Sequence, residues 1–152
     1  MTEDEIIRYV RSLPGAVALT AGEETGAPEA AWGDSFFFHD PDGDTPQARR
    51  FPFATLVTHD YAGFDTASRL DRPGAFRLNI AVGRELFTEL LGQGPEAAPA
   101  TAPDYTAPDR LLPHPVYAAQ GWIAVVNPAG STAARVPGLL AAAHDRARAR
   151  QA

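Results

Sequence analysis

The chain has 152 residues, 45% hydrophobic and 21% charged, which fits one globular domain able to bury about two-thirds of its unfolded surface. The net charge of −6 disfavours nucleic acid, and no apolar run approaches the roughly 20 residues of a membrane-spanning helix. Cysteine and lysine are absent, so disulfides, thiolate nucleophiles, cysteine zinc sites, Schiff bases and lysine phosphate loops are excluded.

In chain order, Thr2 with Glu5 three residues later reads as a capping box. Ile6, Ile7, Val10 and Leu13 then recur at helical spacing until Pro14-Gly15 stops the helix. Ala16 to Thr20 is a short apolar run that fits a first strand, and Ala21 to Pro28 a loop. Residues 31–58 read as a β-hairpin: a strand over Trp32 to Phe38 and another over Phe51 to Thr58, with Asp-Pro-Asp-Gly-Asp between them. In that turn proline fixes φ, glycine supplies φ > 0 and aspartate bonds its own backbone. The hairpin tip, Thr45 to Arg50, is expected to be exposed and mobile.

His59 to Arg72 is polar and without period. Ala75 to Val82 alternates, with Phe76, Leu78, Ile80 and Val82 on one face and Arg77 and Asn79 on the other. A helix over Gly83 to Leu91 ends at Gly92. Residues 93–108, dominated by Ala and Pro, form a variable or disordered loop within a single domain spanning 1–152. Gly121 to Val126 is a last strand. Ser131 or Thr132 caps a final helix to about Arg148, with Val136, Leu139, Leu140 and Ala143 inward. The expected fold is α+β: an antiparallel sheet of about five strands with the N- and C-terminal helices packed on it.

Asp40, Asp42 and Asp44 share the 1-3-5 spacing of an EF-hand loop, but Thr45 stands where that loop needs glycine and Phe51 where it needs a bidentate glutamate. The stretch is therefore a turn, and no metal or other cofactor is expected. Asp34 is different. Two-residue alternation puts it in the strand with Trp32, Phe36 and Phe38, where a buried carboxylate needs a donor such as an arginine. Hairpin pairing brings it near Leu56 to Thr58, hence near His59 and Asp60. His114 lies between prolines in Leu-Pro-His-Pro-Val-Tyr, which hold the backbone extended. Arg77 and Asn79 fit either a solvent-facing edge or a polar-ligand contact. Arg146, Arg148 and Arg150 suit the negative end of the last helix.

Leu13-Pro14-Gly15, the run Phe76 to Phe87, the strand Gly121 to Val126 and a closing helix holding Ala142-Ala143-His144 resemble the MmcQ/YjbR family in order. Trp32-Gly-Asp-Ser-Phe-Phe-Phe, Pro52-Phe-Ala-Thr, Gly63-Phe-Asp, Arg77-Leu-Asn, His114-Pro-Val-Tyr and Gly121-Trp resemble more closely a domain-of-unknown-function family known mostly from actinobacteria. A basic set made only of arginine, with abundant Ala, Gly and Pro, agrees with a GC-rich genome. The first resemblance implies a curved antiparallel sheet flanked by terminal helices and a proposed DNA-binding role, from which this acidic, lysine-free chain departs. The second implies no activity.

The sequence thus points to a cytoplasmic binding module for a small polar ligand or a protein partner, on a surface formed by Trp32, Asp34, Arg77, Asn79, His114, Tyr117 and Trp122. The alternative is an enzyme with His59 or His114 as base or metal ligand and Asp34 or Asp65 as its partner. DNA binding through the arginine-bearing last helix is the weakest reading.

Overall fold

Helix α1 (Glu3–Arg11) starts at the capping box, with Thr2 Oγ1 accepting from the Glu5 N–H and the Glu5 carboxylate accepting from the Thr2 N–H. Its apolar stripe buries Ile6 and Val10. The computed structural model describes residues 1–151, the Ala48 side chain apart. Strands β1 (Ala16–Thr20), β2 (Ser35–His39), β3 (Ala54–Val57), β4 (Arg77–Ala81), β5 (Leu112–Pro113) and β6 (Trp122–Val126) form one antiparallel sheet in the order β1-β2-β3-β4-β6-β5. Helix α2 (Arg84–Leu91) follows β4 and ends at left-handed Gly92, while α3 (Val136–Gln151) closes the fold. No helix among the described residues is long and apolar enough to cross a membrane.

The α+β architecture is the expected one, and the hairpin of residues 31–58 is the β2–β3 pair. The sheet has six strands rather than about five. The extra one, β5, has two residues, one of them Pro113, and is too short to announce itself by alternation. Residues 93–108 carry turns and a 3₁₀ helix at Ala98–Thr101. The acidic stretch is a turn: Asp40 Oδ1 accepts from the Thr45 N–H and hydroxyl at 3.2 and 2.7 Å, and Gly43 takes the left-handed conformation at φ 67°. The tip beyond it holds a 3₁₀ turn, Gln47–Arg49.

Register sorts the side chains into two faces. On one face Phe37, Ala54, Ile80 and Ile123 form a row, with Leu56 and Leu78 beside them, and α1 and α3 cover it with Ile6, Val10, Val136, Leu139, Leu140 and Ala143. The opposite face carries the row Leu19, Phe36, Thr55, Asn79 and Ala124. Its β4–β6 half is buried, whereas Leu19 is 37% exposed and Phe36 half-buried.

Two expectations are corrected. Arg77 and Asn79 do not face solvent: each is 1% exposed, because β4 is a central strand buried on both faces. Thr132 takes the N-cap position of the 3₁₀ turn Ala133–Arg135 that leads into α3, but its side chain does not cap that turn. Its hydroxyl donates to Asp109 Oδ1 at 2.6 Å, and that carboxylate also accepts the N–H groups of Ala129, Ser131 and Thr132. A residue more than twenty positions upstream thus holds the turn that leads into α3.

Candidate functional site

Asp34 lies just before β2 rather than within it, and is fully buried. Its donors are not arginines. Oδ1 accepts from the Thr58 N–H and hydroxyl at 2.8 and 3.0 Å, with His59 Nδ1 at 3.4 Å, and Oδ2 accepts from the Tyr61 hydroxyl. The hairpin pairing Ser35–Leu56 brings these residues together, as the sequence reading anticipated for Leu56 to Asp60. Burial and the Asp34 hydrogen bond push the Tyr61 hydroxyl above the usual tyrosine range, so it stays a donor. His59 stacks on Tyr61 with centroids 5.1 Å apart and rings 18° from parallel, and its Nε2 donates to the Ala30 carbonyl.

Backbone pairing of Tyr61 with Asp65 carries this cluster into a second one. The Arg77 guanidinium meets the Asp65 carboxylate side by side, at 3.1 Å from Nη1 and 2.5 Å from Nη2. Nη1 also donates to Ser68 Oγ and Nε to Asn79 Oδ1, while Asn79 Nδ2 reaches Thr55 Oγ1. The arginine's charge is thereby spent inside the protein, binding the 65–68 segment to the sheet. His114 Nδ1 accepts the N–H groups of Val116 and Tyr117 at 2.9 and 3.0 Å. The neutral ring therefore carries its proton on Nε2, which faces Arg77 Nη2 at 3.5 Å as one donor against another. Burial first, and then the Arg77 charge, lower the His114 pKa to about 3 against an opposing pull from Asp65.

The sequence-derived set thus falls into two neighbouring groups on one side of the sheet. Arg77, Asn79 and His114 are buried together, with Tyr117 5.0 Å and Trp122 6.2 Å from the His114 ring. Trp32 and Asp34 belong to the first cluster. There Trp32, His59, Tyr61 and Phe64 wall an open groove of about 620 Å³ with Glu29 and Asp60 in its lining. Phe64 links the groups, its ring 6.1 Å from that of Tyr117. Among the described residues no three histidine or carboxylate side chains converge to hold a metal ion.

A protein-family model matches residues 1–152, the whole chain. The chain belongs to the family of unknown function DUF6194. No curated protein and no solved structure matches it.

Other notable side chains of this family member escaped the sequence reading. Tyr61 and Phe64 were flanked by the singled-out His59 and Asp65, and the two-residue step from His59 to Tyr61 was the available signal. His39 and His144 form a buried pair, Nδ1 to Nε2 at 3.0 Å, joining β2 to α3 across 105 positions of chain. No local pattern announces such a contact.

Proposed function

We propose that the chain is a binding module and that its ligand is a small organic cation held in the Trp32–His59–Tyr61–Phe64 groove. One observation carries this reading: the walls are aromatic and the lining holds Glu29 and Asp60 but no arginine. Ring faces attract ammonium or guanidinium groups, each contact contributing about 0.5 to 2 kcal/mol, and rim carboxylates add long-range attraction. A groove of about 620 Å³ also lies within the size range of small-molecule sites. Trp32 is 38% and Phe64 58% exposed, so both rings are open to a ligand, and Trp32 is steadied by donating from Nε1 to the Ala27 carbonyl. In this scheme Asp34 positions Tyr61 and His59, and the Arg77–Asn79–His114 group holds the segment that presents Phe64 and Tyr117.

Binding is favoured over catalysis because neither histidine offers a free ring nitrogen. His59 donates from Nε2 to the Ala30 carbonyl, and its Nδ1 lies against Thr58 Oγ1 at 3.3 Å and Asp34 Oδ1 at 3.4 Å. His114 uses Nδ1 on two backbone N–H groups and turns Nε2 into the protein. An acid–base role needs hydrogen-bond reach to a reacting atom. The DNA-binding role implied by the MmcQ/YjbR resemblance draws no support from a groove lined by carboxylates.

The test is a thermal-shift and tryptophan-fluorescence titration with tetramethylammonium, choline and arginine amide, with acetate and benzoate as anionic controls. The expected result is stabilisation by the cations only, weakened about tenfold in Trp32→Ala or Phe64→Ala. Equal response to the anions, or a response that both variants retain, would overturn the reading.

A further inference from the structure

A second groove, of about 520 Å³, lies where α3 passes the start of β3, and its character is opposite to the first. Its lining includes Arg49, Arg146 and Arg150 beside Phe51 and Trp122, and contains no aspartate or glutamate. In a chain where 19 acidic residues outnumber 13 basic ones, three guanidinium groups on one groove is a local reversal of sign. Among the described residues none of the three lies within ion-pair distance of a carboxylate, whereas Arg50, Arg77, Arg84 and Arg148 each do.

The helix places them. Arg146 and Arg150 are four residues apart and share one side of α3. Arg148, between them, turns away to pair with Asp145 at 3.4 Å and lines a different depression with His39 and Asp40. The negative end of a helix accounts for basic residues in the last turn, but not for Arg146 and Arg150 facing a groove that Arg49 enters from another element. The Arg146 side chain lies across Gly83, where a Cβ would collide with it, and on that side it also lines a neighbouring depression whose lining includes Glu85 and Glu89. Burial first, and then the charge of Arg150, lower the Arg146 pKa. An anion between them relieves that repulsion.

The remaining lining selects the rest of the ligand. Phe51 is 79% exposed, an isolated large apolar side chain at the groove mouth, and Trp122 is half-buried. Flat rings stack on such side chains, and guanidinium forks match phosphate oxygens. We propose that this groove binds a nucleoside diphosphate, its base against Phe51 and Trp122 and its phosphates on Arg49, Arg146 and Arg150. Three positive charges suit a diphosphate better than a single carboxylate. The groove's volume of about 520 Å³ and the −6 overall charge favour a mononucleotide over a nucleic-acid strand.

The experiment is isothermal titration of the full chain with ADP, pyrophosphate, adenosine and a single-stranded oligonucleotide. Variants Arg146→Gln, Arg150→Gln and Arg148→Gln accompany the wild type. All three arginines are exposed, so the variants keep the fold, which a thermal melt verifies. ADP is expected to bind more tightly than pyrophosphate or adenosine. Arg146→Gln and Arg150→Gln each weaken it about tenfold, and Arg148→Gln leaves it unchanged. No heat from ADP at about millimolar concentration overturns the proposal, as does a loss equal in all three variants. Tighter binding of the oligonucleotide than of ADP overturns it in favour of a polymer site. The cation groove plays no part in this measurement, so the two readings stand or fall separately.

Discussion

Arg77 shows what a charged side chain needs in order to sit in the middle of a sheet. Desolvating a guanidinium costs several kcal/mol, and here Asp65, Ser68 and Asn79 return its hydrogen bonds. Removing one partner leaves the other charge buried and alone. Arg77→Met is therefore expected to destabilise the protein by about 3 to 5 kcal/mol in a urea melt, while Arg77→Met with Asp65→Leu recovers most of that loss. A double variant no more stable than the single one would show that the pair holds the 65–68 segment by more than its charges. At this scale the sequence was only half legible. Alternation put Arg77 and Asn79 on a common face, but burial depends on what covers that face. The cover, residues 59–72, has no period to reveal it. For Asp34 the local rule demanded a donor, and the structure supplies Thr58 and Tyr61 instead of an arginine. A single sequence shows the demand for a partner more clearly than it shows the partner.

Among the elements, the short helices with local signals were readable and the long-range supports were not. The capping box of α1 and the glycine stop of α2 lie within a few residues of what they serve. The turn leading into α3 is held from a distance by Asp109, whose backbone is left-handed at φ 57°. Four hydrogen bonds into its carboxylate, from Thr132, Ser131 and Ala129, hold the Asp109 pKa well below the usual range, with the Thr132 hydroxyl as the largest cause. Asp109→Ala is expected to lower Tm and to raise amide exchange at Ala129, Ser131 and Thr132 before that of α3 itself. Asp109→Asn keeps one acceptor oxygen and should lie between. If exchange at those amides is unchanged in Asp109→Ala, the helix start is held by the packing of Val136 and Leu140 alone. Strand β5 is the converse case: two residues suffice as a strand because β6 supplies the partner, which no propensity within Leu112–Pro113 encodes.

Across the molecule, buried histidines tie the sheet to what covers it on both sides. His144 joins α3 to β2 through His39 on the helical face, and His114 sits beside Arg77 on the other. Burial is the first cause of a lowered pKa for both, followed by the His39 charge for His144 and the Arg77 charge for His114. A base whose folded pKa lies below its unfolded value of 6.5 takes up its proton more readily in the unfolded chain. Stability is then intact above pH 6.5 and falls as pH descends below it. For His114 the fall continues towards about 3, at roughly 1.4 kcal/mol for each pH unit. The carboxylates with depressed pKa values, such as Asp109 and Glu96, weaken the fold only below their unfolded values of 3.8 and 4.5. Glu3, raised by burial, acts in the opposite direction. The interval between 6.5 and 4.5 therefore belongs mainly to the histidines. His114→Asn retains an acceptor for the Val116 and Tyr117 N–H groups but cannot titrate. Urea melts at stepped pH through that interval should show the wild type losing stability more steeply than His114→Asn, by close to one proton's worth of slope. Parallel lines would mean that His114 is already neutral in the unfolded chain or charged in the folded one, and its packing against Arg77 rules out the second.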